Sequence, residues 1–145
     1  MKEVAVGIIL NNGQVLVCQR KRTVSYPLKW EFPGGKIEPG ETARDALIRE
    51  LYEELAVKAV PDDILLTHEW AYRNGSQSPD QDGRFRVTYF TVRSYTGVPV
   101  NKAFEDIRWV TLVALQNMDI LEGNHEAVAR LLKRSRNDGA ENSGT

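Results

Sequence analysis

Three glutamates at helical spacing are the residues of this sequence best suited to chemistry. Glu50, Glu53 and Glu54 are related by steps of three and four positions, so a helix would place them within about a 100° arc of one face. Like charges at this spacing repel by about 0.2–0.5 kcal/mol per close pair. They also lie near the helix C-terminus, where negative charge is unfavourable. Binding of a hard divalent cation would offset these costs, because Mg²⁺ and Mn²⁺ prefer oxygen ligands.

A glycine-rich bend precedes the three carboxylates. In the segment Phe32-Pro33-Gly34-Gly35 the backbone can approach a ligand closely, because glycine has no Cβ. Mg²⁺ is typically shared between one or two carboxylates and substrate phosphates. The bend and the acidic face together therefore indicate a site for a metal and a pyrophosphate group. The three glutamates taken alone are more typical of a solvated acidic helix face.

The full spacing of the segment favours the metal site. Five residues separate Gly35 from Glu41, seven separate Glu41 from Arg49-Glu50-Leu51, and one separates that triplet from Glu53-Glu54. This pattern closely resembles the Nudix box, Gly-x5-Glu-x7-Arg-Glu-U-x-Glu-Glu-x-Gly-U, where U is an aliphatic residue. Every fixed position matches except the last glycine, which is Ala56 here. A left-handed Ala56 would cost about 1 kcal/mol at the helix end, and no metal ligand is affected.

The resemblance implies an activity, a fold and a set of roles. Nudix proteins typically hydrolyse nucleoside diphosphates linked to another moiety, with Mg²⁺ or Mn²⁺ as the cofactor. Their fold is an α/β/α sandwich with a mixed β-sheet between helices. By matching position, the implied metal ligands are Glu50, Glu53, Glu54 and the carbonyl of Gly34.

The same resemblance implies outer and catalytic roles. Arg49 and Glu41 would form a pair that orients the ligands. Glu50 or Glu53 would activate the attacking water. A further acidic residue outside the box commonly supplies a ligand or base, and Glu105 is our candidate. The alternative interpretation, to which we give the same weight, is that Glu105 is an exposed loop glutamate.

Within the family, the sequence is most similar to the MutT-type hydrolases of oxidised purine nucleoside triphosphates. The similarity lies in the first strand, VAVGIIL, and in WEFPGGKIEPGE around the start of the box. It implies substrate contacts from Arg20, Phe32 and Asn124. Asn124 would bind the purine edge, since an amide offers both a donor and an acceptor. The alternatives are a surface charge for Arg20, core packing for Phe32 and a helix N-cap for Asn124.

Two features leave other substrates open. The polar segment from Arg73 to Gly83 is long enough to form a different lid. Tyr72 lies about where dinucleoside-polyphosphate hydrolases of this superfamily place a base-stacking tyrosine. The first hypothesis is hydrolysis of oxidised dGTP to the monophosphate and pyrophosphate. The alternatives are CTP-type pyrimidine triphosphates, dinucleoside polyphosphates or ADP-ribose, or a silent nucleotide-binding module, against which the intact Arg49 and glutamate set argues.

The elements that must position these residues follow from the hydrophobic pattern. A first helix is predicted to begin at Thr42, with Asp45 at capping-box spacing and a leucine stripe at positions 47, 51 and 55. A second helix is predicted from about Asn124 to Leu132. Strands are predicted at 4–10, 15–17, 64–72, 85–95 and 108–110, and the turn signal Asn11-Asn12-Gly13 predicts a hairpin between the first two. This order favours an α/β fold with a mixed sheet packed between helices.

Length and composition restrict the remaining possibilities. The chain has 145 residues, a formal charge of −1 and one cysteine, so a disulfide framework is excluded and a polymeric nucleic-acid partner is disfavoured. We expect a Nudix domain over residues 1–132 and a polar, flexible tail over 133–145. The expected partner is a small nucleotide, without a membrane. We further expect a monomer or homodimer in the cytoplasm.

Overall fold

The computed structural model describes residues 1–71 and 83–143, with side chains as far as Arg136 at the C-terminal end. The strands are β1 (Lys2–Asn11), β2 (Gln14–Gln19), β3 (Trp30–Glu31), β4 (Gly34–Lys36), β5 (Lys58–Val60), β6 (Ile64–Ala71), β7 (Arg84–Val92), β8 (Ser94–Thr96) and β9 (Asp106–Thr111). The helices are α1 (Ala43–Leu55), α2 (Leu112–Gln116) and α3 (His125–Ser143), the last preceded by a 3-10 turn, Glu122–Asn124. Within these described ranges, no helix is both long enough and apolar enough to cross a membrane.

Strand β1 is the centre of a mixed sheet with the order β3-β2-β1-β7-β6. It pairs in parallel with β7 and antiparallel with β2 and β4, while β9 pairs with β2. The predicted hairpin between β1 and β2 is confirmed, and its turn residues Asn12 and Gly13 have φ values of 51° and 77°. Such left-handed values are what a tight Asn-Gly turn requires. Strands β5 and β8 form a separate two-stranded ladder.

Helices cover both faces of the sheet, which confirms the predicted sandwich. On one face, the leucines of α1 at positions 47, 51 and 55 are fully buried with Ala5 and Ile9 of β1. On the other, Ala127 and Leu131 of α3 pack with Ile8 of β1 and Tyr89 of β7. Alternate residues of β1 therefore enter different cores, as expected for a strand covered on both sides.

Two predicted boundaries were wrong. The predicted strand 85–95 is divided at Arg93, whose backbone N–H donates to the Asp62 carboxylate at 3.2 Å instead of continuing the ladder. Helix α3 continues beyond Leu132 to Ser143, where the sequence predicted a tail. Lysine, arginine, alanine and glutamate in that segment are good helix formers, and no proline interrupts them.

Candidate active site

Helix α1 begins where the sequence predicted and turns its acidic face away from the core. The Thr42 hydroxyl accepts a hydrogen bond from the Asp45 N–H at 3.0 Å, which caps the first turn. Because the leucine stripe is buried against the sheet, the neighbouring face carries Glu50, Glu53 and Glu54, which we call the acidic cluster. Their exposure differs, since the side chain of Glu50 is 16% exposed and that of Glu53 is 55% exposed.

Arg49 connects the acidic cluster to the loop before the helix. Its Nε and Nη2 donate to the two carboxylate oxygens of Glu41, both at 2.8 Å, in a bidentate pair. Its Nη1 donates to Glu50 at 3.0 Å and to Glu53 at 3.4 Å. The predicted Arg49–Glu41 pair is therefore present, and the guanidinium also contacts two members of the cluster.

The charges around Arg49 shift the pKa of its partners. Hydrogen bonds from Arg49, and then from the Glu38 N–H, lower the pKa of Glu41 to about 2. The hydrogen bond with Glu41, followed by that with Glu50, raises the pKa of Arg49. Both groups are consequently charged throughout the neutral range, which keeps the pair intact there.

Gly35 is required by the position of Glu50. A Cβ added at Gly35 would lie 2.4 Å from the Glu50 carboxyl carbon and 2.6 Å from each of its oxygens. The Glu50 carboxylate is therefore packed directly against the backbone of β4. The first glycine of the motif thus accommodates a carboxylate of the chain itself, a reason that the sequence analysis did not find.

Glu54 differs from Glu50 and Glu53 in that it accepts a hydrogen bond from the backbone before the helix. Its Oε1 accepts from the Gly34 N–H at 3.0 Å. Burial, followed by the negative charge of Glu50 and then by smaller contributions from Glu31 and Glu53, raises the pKa of Glu54 to about 8. The hydrogen bond from Gly34 opposes this shift. Glu54 is therefore difficult to ionise, first because it is buried and second because other carboxylates lie close to it.

The donor set fits a divalent cation that a nucleotide helps to bind. In the described part of the chain, no three acidic, histidine or cysteine side chains are placed to hold one ion together. Oxygen donors at Glu50, Glu53 and Glu54 are nevertheless the type that Mg²⁺ prefers. Burial, and then the charge of Glu50, raises the pKa of Glu54, so a nearby cation would favour its ionised form. Mg²⁺ commonly takes only one or two carboxylates and completes its coordination with phosphates and water.

Glu105, the predicted ligand from outside the helix, pairs with Arg22. Its carboxylate accepts hydrogen bonds from the Arg22 backbone N–H and Nε at 3.3 Å, and its own N–H donates to Gln19. The hydrogen bonds from Arg22 lower the pKa of Glu105. The structure thus gives Glu105 an ion-pair partner that the sequence analysis did not identify. Its metal role stays a prediction.

A pocket of about 230 Å³ is lined by Gly34 and by three of the predicted substrate-contact residues. Its lining includes Arg20, Phe32 and Asn124, together with Glu31, which the sequence analysis had not selected. Nη1 of Arg20 donates to the Glu31 carboxylate at 3.2 Å, while its Nε and Nη2 donate to Ser25. Burial raises the pKa of Glu31, and Arg20 opposes that shift. Arg20 is thus more than a surface charge, because it has these partners and its side chain is only 21% exposed.

Asn124 lies directly before α3, at the position predicted for a cap, and its amide contacts other elements. Its Oδ1 accepts from the Phe32 N–H at 3.3 Å, and its Nδ2 donates to the Tyr89 hydroxyl at 2.9 Å. The Tyr89 hydroxyl donates to the Gly123 carbonyl at 3.2 Å. Phe32 is 4% exposed, so it contributes to the core and lines the pocket at once.

Comparison with known proteins identifies the family. The NUDIX domain model matches residues 1–132 of this chain. The 8-oxo-dGTP diphosphatase of Escherichia coli (strain K12) is 33% identical over 130 residues, which are 89% of this chain and 95% of that relative. The chain belongs to the Nudix family. The prediction of a hydrolase of this family is thereby confirmed.

Further comparisons agree with this Nudix assignment. The nucleoside triphosphatase NudI of Enterobacter sp. (strain 638) is 32% identical over 123 residues, covering 79% of this chain and 85% of that relative. The solution structure of the E. coli ORF135 protein matches with a TM-score of 0.79, covering 92% of this chain and 89% of that chain at 24% identity. The latter similarity concerns the fold alone.

The departure of this Nudix chain from its motif has a visible structural result. Ala56 caps α1 in the left-handed conformation, with φ 58° and ψ 30°, and its N–H donates to the Tyr52 carbonyl. The helix therefore ends as it would with glycine, at the cost of left-handed strain for a residue with a Cβ. Tyr72 and most of the polar segment 73–83 lie outside the described residues.

Proposed function

We propose that this Nudix hydrolase cleaves oxidised purine nucleoside triphosphates, such as 8-oxo-dGTP, to the monophosphate and pyrophosphate with Mg²⁺, for which Mn²⁺ can substitute. The observation that carries the proposal is the adjacency of two sites. Gly34, whose N–H bonds to Glu54, also lines the pocket that contains Asn124. A nucleotide could therefore place its phosphates at the acidic cluster and its base against the amide. The 33% identity to an 8-oxo-dGTP diphosphatase supports the same substrate class.

The acidic cluster supports a divided set of roles in this proposal. The cation would be held by Glu50, Glu53, Glu54 and the Gly34 carbonyl. The Arg49–Glu41 pair would orient the carboxylate of Glu50. A bound divalent cation supplies charge neutralisation for the phosphates and lowers the pKa of a bound water. Glu53 is the more exposed of the two candidate bases, and Glu50 is held against β4. We therefore favour Glu53 for accepting the proton of the attacking water, with Glu50 as a ligand.

The pocket supports recognition of a base more than of a second phosphate group. Apolar residues such as Val6, Phe32 and Val87 provide surfaces for a flat ring. Arg20 is partly neutralised by Glu31, which reduces its attraction for phosphate. The amide of Asn124 adds a donor and an acceptor. Arg20, Phe32 and Asn124 would thus be substrate contacts, as would Tyr72, while Glu105 is the proposed additional metal ligand.

The proposal also includes a binding partner, an oligomeric state and a cellular location. We propose a small-molecule nucleotide as the partner, without a nucleic-acid polymer or a membrane. We propose a monomer or homodimer that acts in the cytoplasm, where nucleoside triphosphates are made and oxidised. The near-zero formal charge of −1 supports the absence of a polymeric nucleic-acid partner.

A nucleotide panel tests the proposal directly. The purified chain is incubated with Mg²⁺ and, separately, 8-oxo-dGTP, dGTP, dATP, CTP, a dinucleoside tetraphosphate and ADP-ribose. Substrate loss and nucleotide products are measured by chromatography, and pyrophosphate is measured separately from phosphate. We expect the highest kcat/KM for 8-oxo-dGTP with release of pyrophosphate. A preference for CTP would contradict the purine assignment, and a preference for either of the last two compounds would contradict the assignment of a nucleoside triphosphate as substrate.

Asn124→Ala tests the base contact within the same panel. We expect kcat/KM for 8-oxo-dGTP to fall by more than that for dGTP or CTP, because unpaired buried groups cost about 1–3 kcal/mol each. Equal losses for all nucleotides, together with a lower Tm, would show that Asn124 is only structural.

A further inference from the structure

A chain of hydrogen bonds fixes the direction in which the Asn124 amide faces. The Gly123 carbonyl can only accept, so the Tyr89 hydroxyl donates its proton in that 3.2 Å bond. In the 2.9 Å bond with Asn124, the Tyr89 oxygen is then the acceptor, and the amide must present its NH₂ group to it. On the other side, the Phe32 N–H can only donate, so it must face the amide oxygen at 3.3 Å.

These two contacts leave the amide with one defined pair of free groups. An asparagine amide has two N–H donors and an oxygen with two lone pairs. One N–H is used at Tyr89 and one lone pair at Phe32, so one donor remains on the Tyr89 side and one acceptor on the Phe32 side. Because Asn124 lines the pocket, a ligand there meets this donor and acceptor in a fixed order.

The fixed order matters because the two purine classes present opposite edges. At the edge formed by C6 and N1, a 6-oxo purine has a carbonyl acceptor beside the N1–H donor. A 6-amino purine has an amino donor beside the N1 acceptor. An amide that rotates by 180° about its last side-chain bond can pair with both. An amide held at both ends can pair well with only one of them in a given base orientation.

We propose that Tyr89 is a specificity-determining positioning residue, which acts through Asn124 to make the pocket select 6-oxo over 6-amino purines. The choice of the 6-oxo class rests on the proposed function. Tyr89 is fully buried in the core on the α3 face of the sheet, whereas α1, which carries the acidic cluster, packs on the other face. Its hydroxyl therefore affects base selection and not the chemical step.

Binding of the product nucleotides tests this without catalysis. Dissociation constants for 8-oxo-dGMP and 8-oxo-dAMP are measured by calorimetry in EDTA, and their ratio is the selectivity. We expect the wild-type chain to bind 8-oxo-dGMP at least tenfold more tightly. Tyr89→Phe keeps the ring and removes the hydroxyl, and we expect it to reduce the ratio about fivefold to tenfold, the contribution of one buried hydrogen bond.

A matched control and a double variant separate positioning from general loosening. Thr91→Val also removes a buried hydroxyl from β7, one that donates to Asp62 at 3.2 Å and does not line the pocket, and the ratio should not change. In an Asn124→Ala background, Tyr89→Phe should leave the ratio unchanged, because Tyr89 acts through the missing amide.

Each other outcome has a defined meaning. An unchanged ratio in Tyr89→Phe, or an equal reduction with and without Asn124, would overturn the inference. A wild-type chain that binds both purines equally would overturn it too, while hydrolysis of purine triphosphates in the panel could still stand. A wild-type chain that hydrolyses no purine triphosphate but keeps the binding ratio and its dependence on Tyr89 would refute the proposed reaction alone.

Discussion

Substitution of Gly35 by alanine should displace the carboxylate of Glu50 without adding left-handed backbone strain to the fold. The added Cβ would lie 2.4 Å from the carboxyl carbon of Glu50, and an ordinary contact begins at about 3.4 Å, so the two must separate by about 1 Å. Gly35 does not have a left-handed φ, so alanine adds no backbone strain of that kind. Glu50 is also bonded to Arg49 at 3.0 Å, so its displacement breaks or bends that bond.

The size of the expected effect follows from this displacement. A misplacement of about 1 Å in catalytic machinery can cost about 10²-fold in rate, which corresponds to about 2.7 kcal/mol of activation free energy. We therefore expect Gly35→Ala to lower kcat at saturating Mg²⁺ by about 10²-fold and to raise the Mg²⁺ concentration needed for half-maximal rate. The assay is steady-state pyrophosphate release with a Mg²⁺ titration, combined with a thermal melt.

Gly40→Ala, in the connection between β4 and α1, is the matched control. Gly40 has φ +84°, and a Cβ there would meet nothing within 4 Å. Alanine should therefore cost about 1 kcal/mol of stability through left-handed strain, with unchanged kcat in the folded protein. If Gly35→Ala is folded and keeps near wild-type kcat and Mg²⁺ dependence, then the position of Glu50 against β4 does not matter for catalysis and the reasoning is wrong.

Three further predictions concern the acidic cluster and the end of α1. Glu53→Gln should lower kcat at least 10²-fold and leave metal-free stability level or slightly higher, because it removes charge repulsion; near wild-type turnover in saturating Mg²⁺ would refute both the metal role and the base role of Glu53. Because the pKa of Glu54 is raised to about 8, its contribution to metal-free stability should be full below about pH 4.5 and be lost as the pH rises to about 8. In denaturant unfolding at a series of pH values, Glu54→Gln should not show this loss of stability. If the stability of the variant and of the wild-type chain changed with pH in the same way, the effect would not come from Glu54. Ala56→Gly should raise stability by about 1 kcal/mol with unchanged kcat, since φ is 58° there, and an unchanged denaturation midpoint would contradict the strain.

The sequence predicted the elements whose signals are local. The cap at Thr42 and the buried leucine stripe of α1 depend on neighbours within one or two turns, and both are present in the structure. The hairpin turn at Asn12-Gly13 is local in the same way. Strands β3 and β4 were not predicted, because they have two and three residues and exist only through pairing with β2 and β1. No pattern within so short a segment could indicate them.

The site shows the same division between local and long-range information. Spacing alone brought Arg49 and the glutamates of α1 together, since they share one helix. Glu31 and Tyr89 were missed because their roles depend on contacts with Arg20 and Asn124 from distant parts of the chain. A weak signal existed for Tyr89, since a tyrosine among the buried positions of a strand needs a partner for its hydroxyl. The sequence did not indicate which partner that would be.

The same helix explains how the fold tolerates a cluster of like charges. Leu47, Leu51 and Leu55 are fully buried, and burial of each side chain stabilises the fold by about 1.5–3 kcal/mol. Repulsion within the acidic cluster costs about 0.2–0.5 kcal/mol per close pair, and Arg49 offsets part of it through Glu50 and Glu53. The apolar face therefore outweighs the acidic face by several kcal/mol. Arg49 does not pair with Glu54, and burial together with the nearby carboxylates raises the pKa of Glu54. A cation brought with the nucleotide phosphates would favour the ionised form of Glu54.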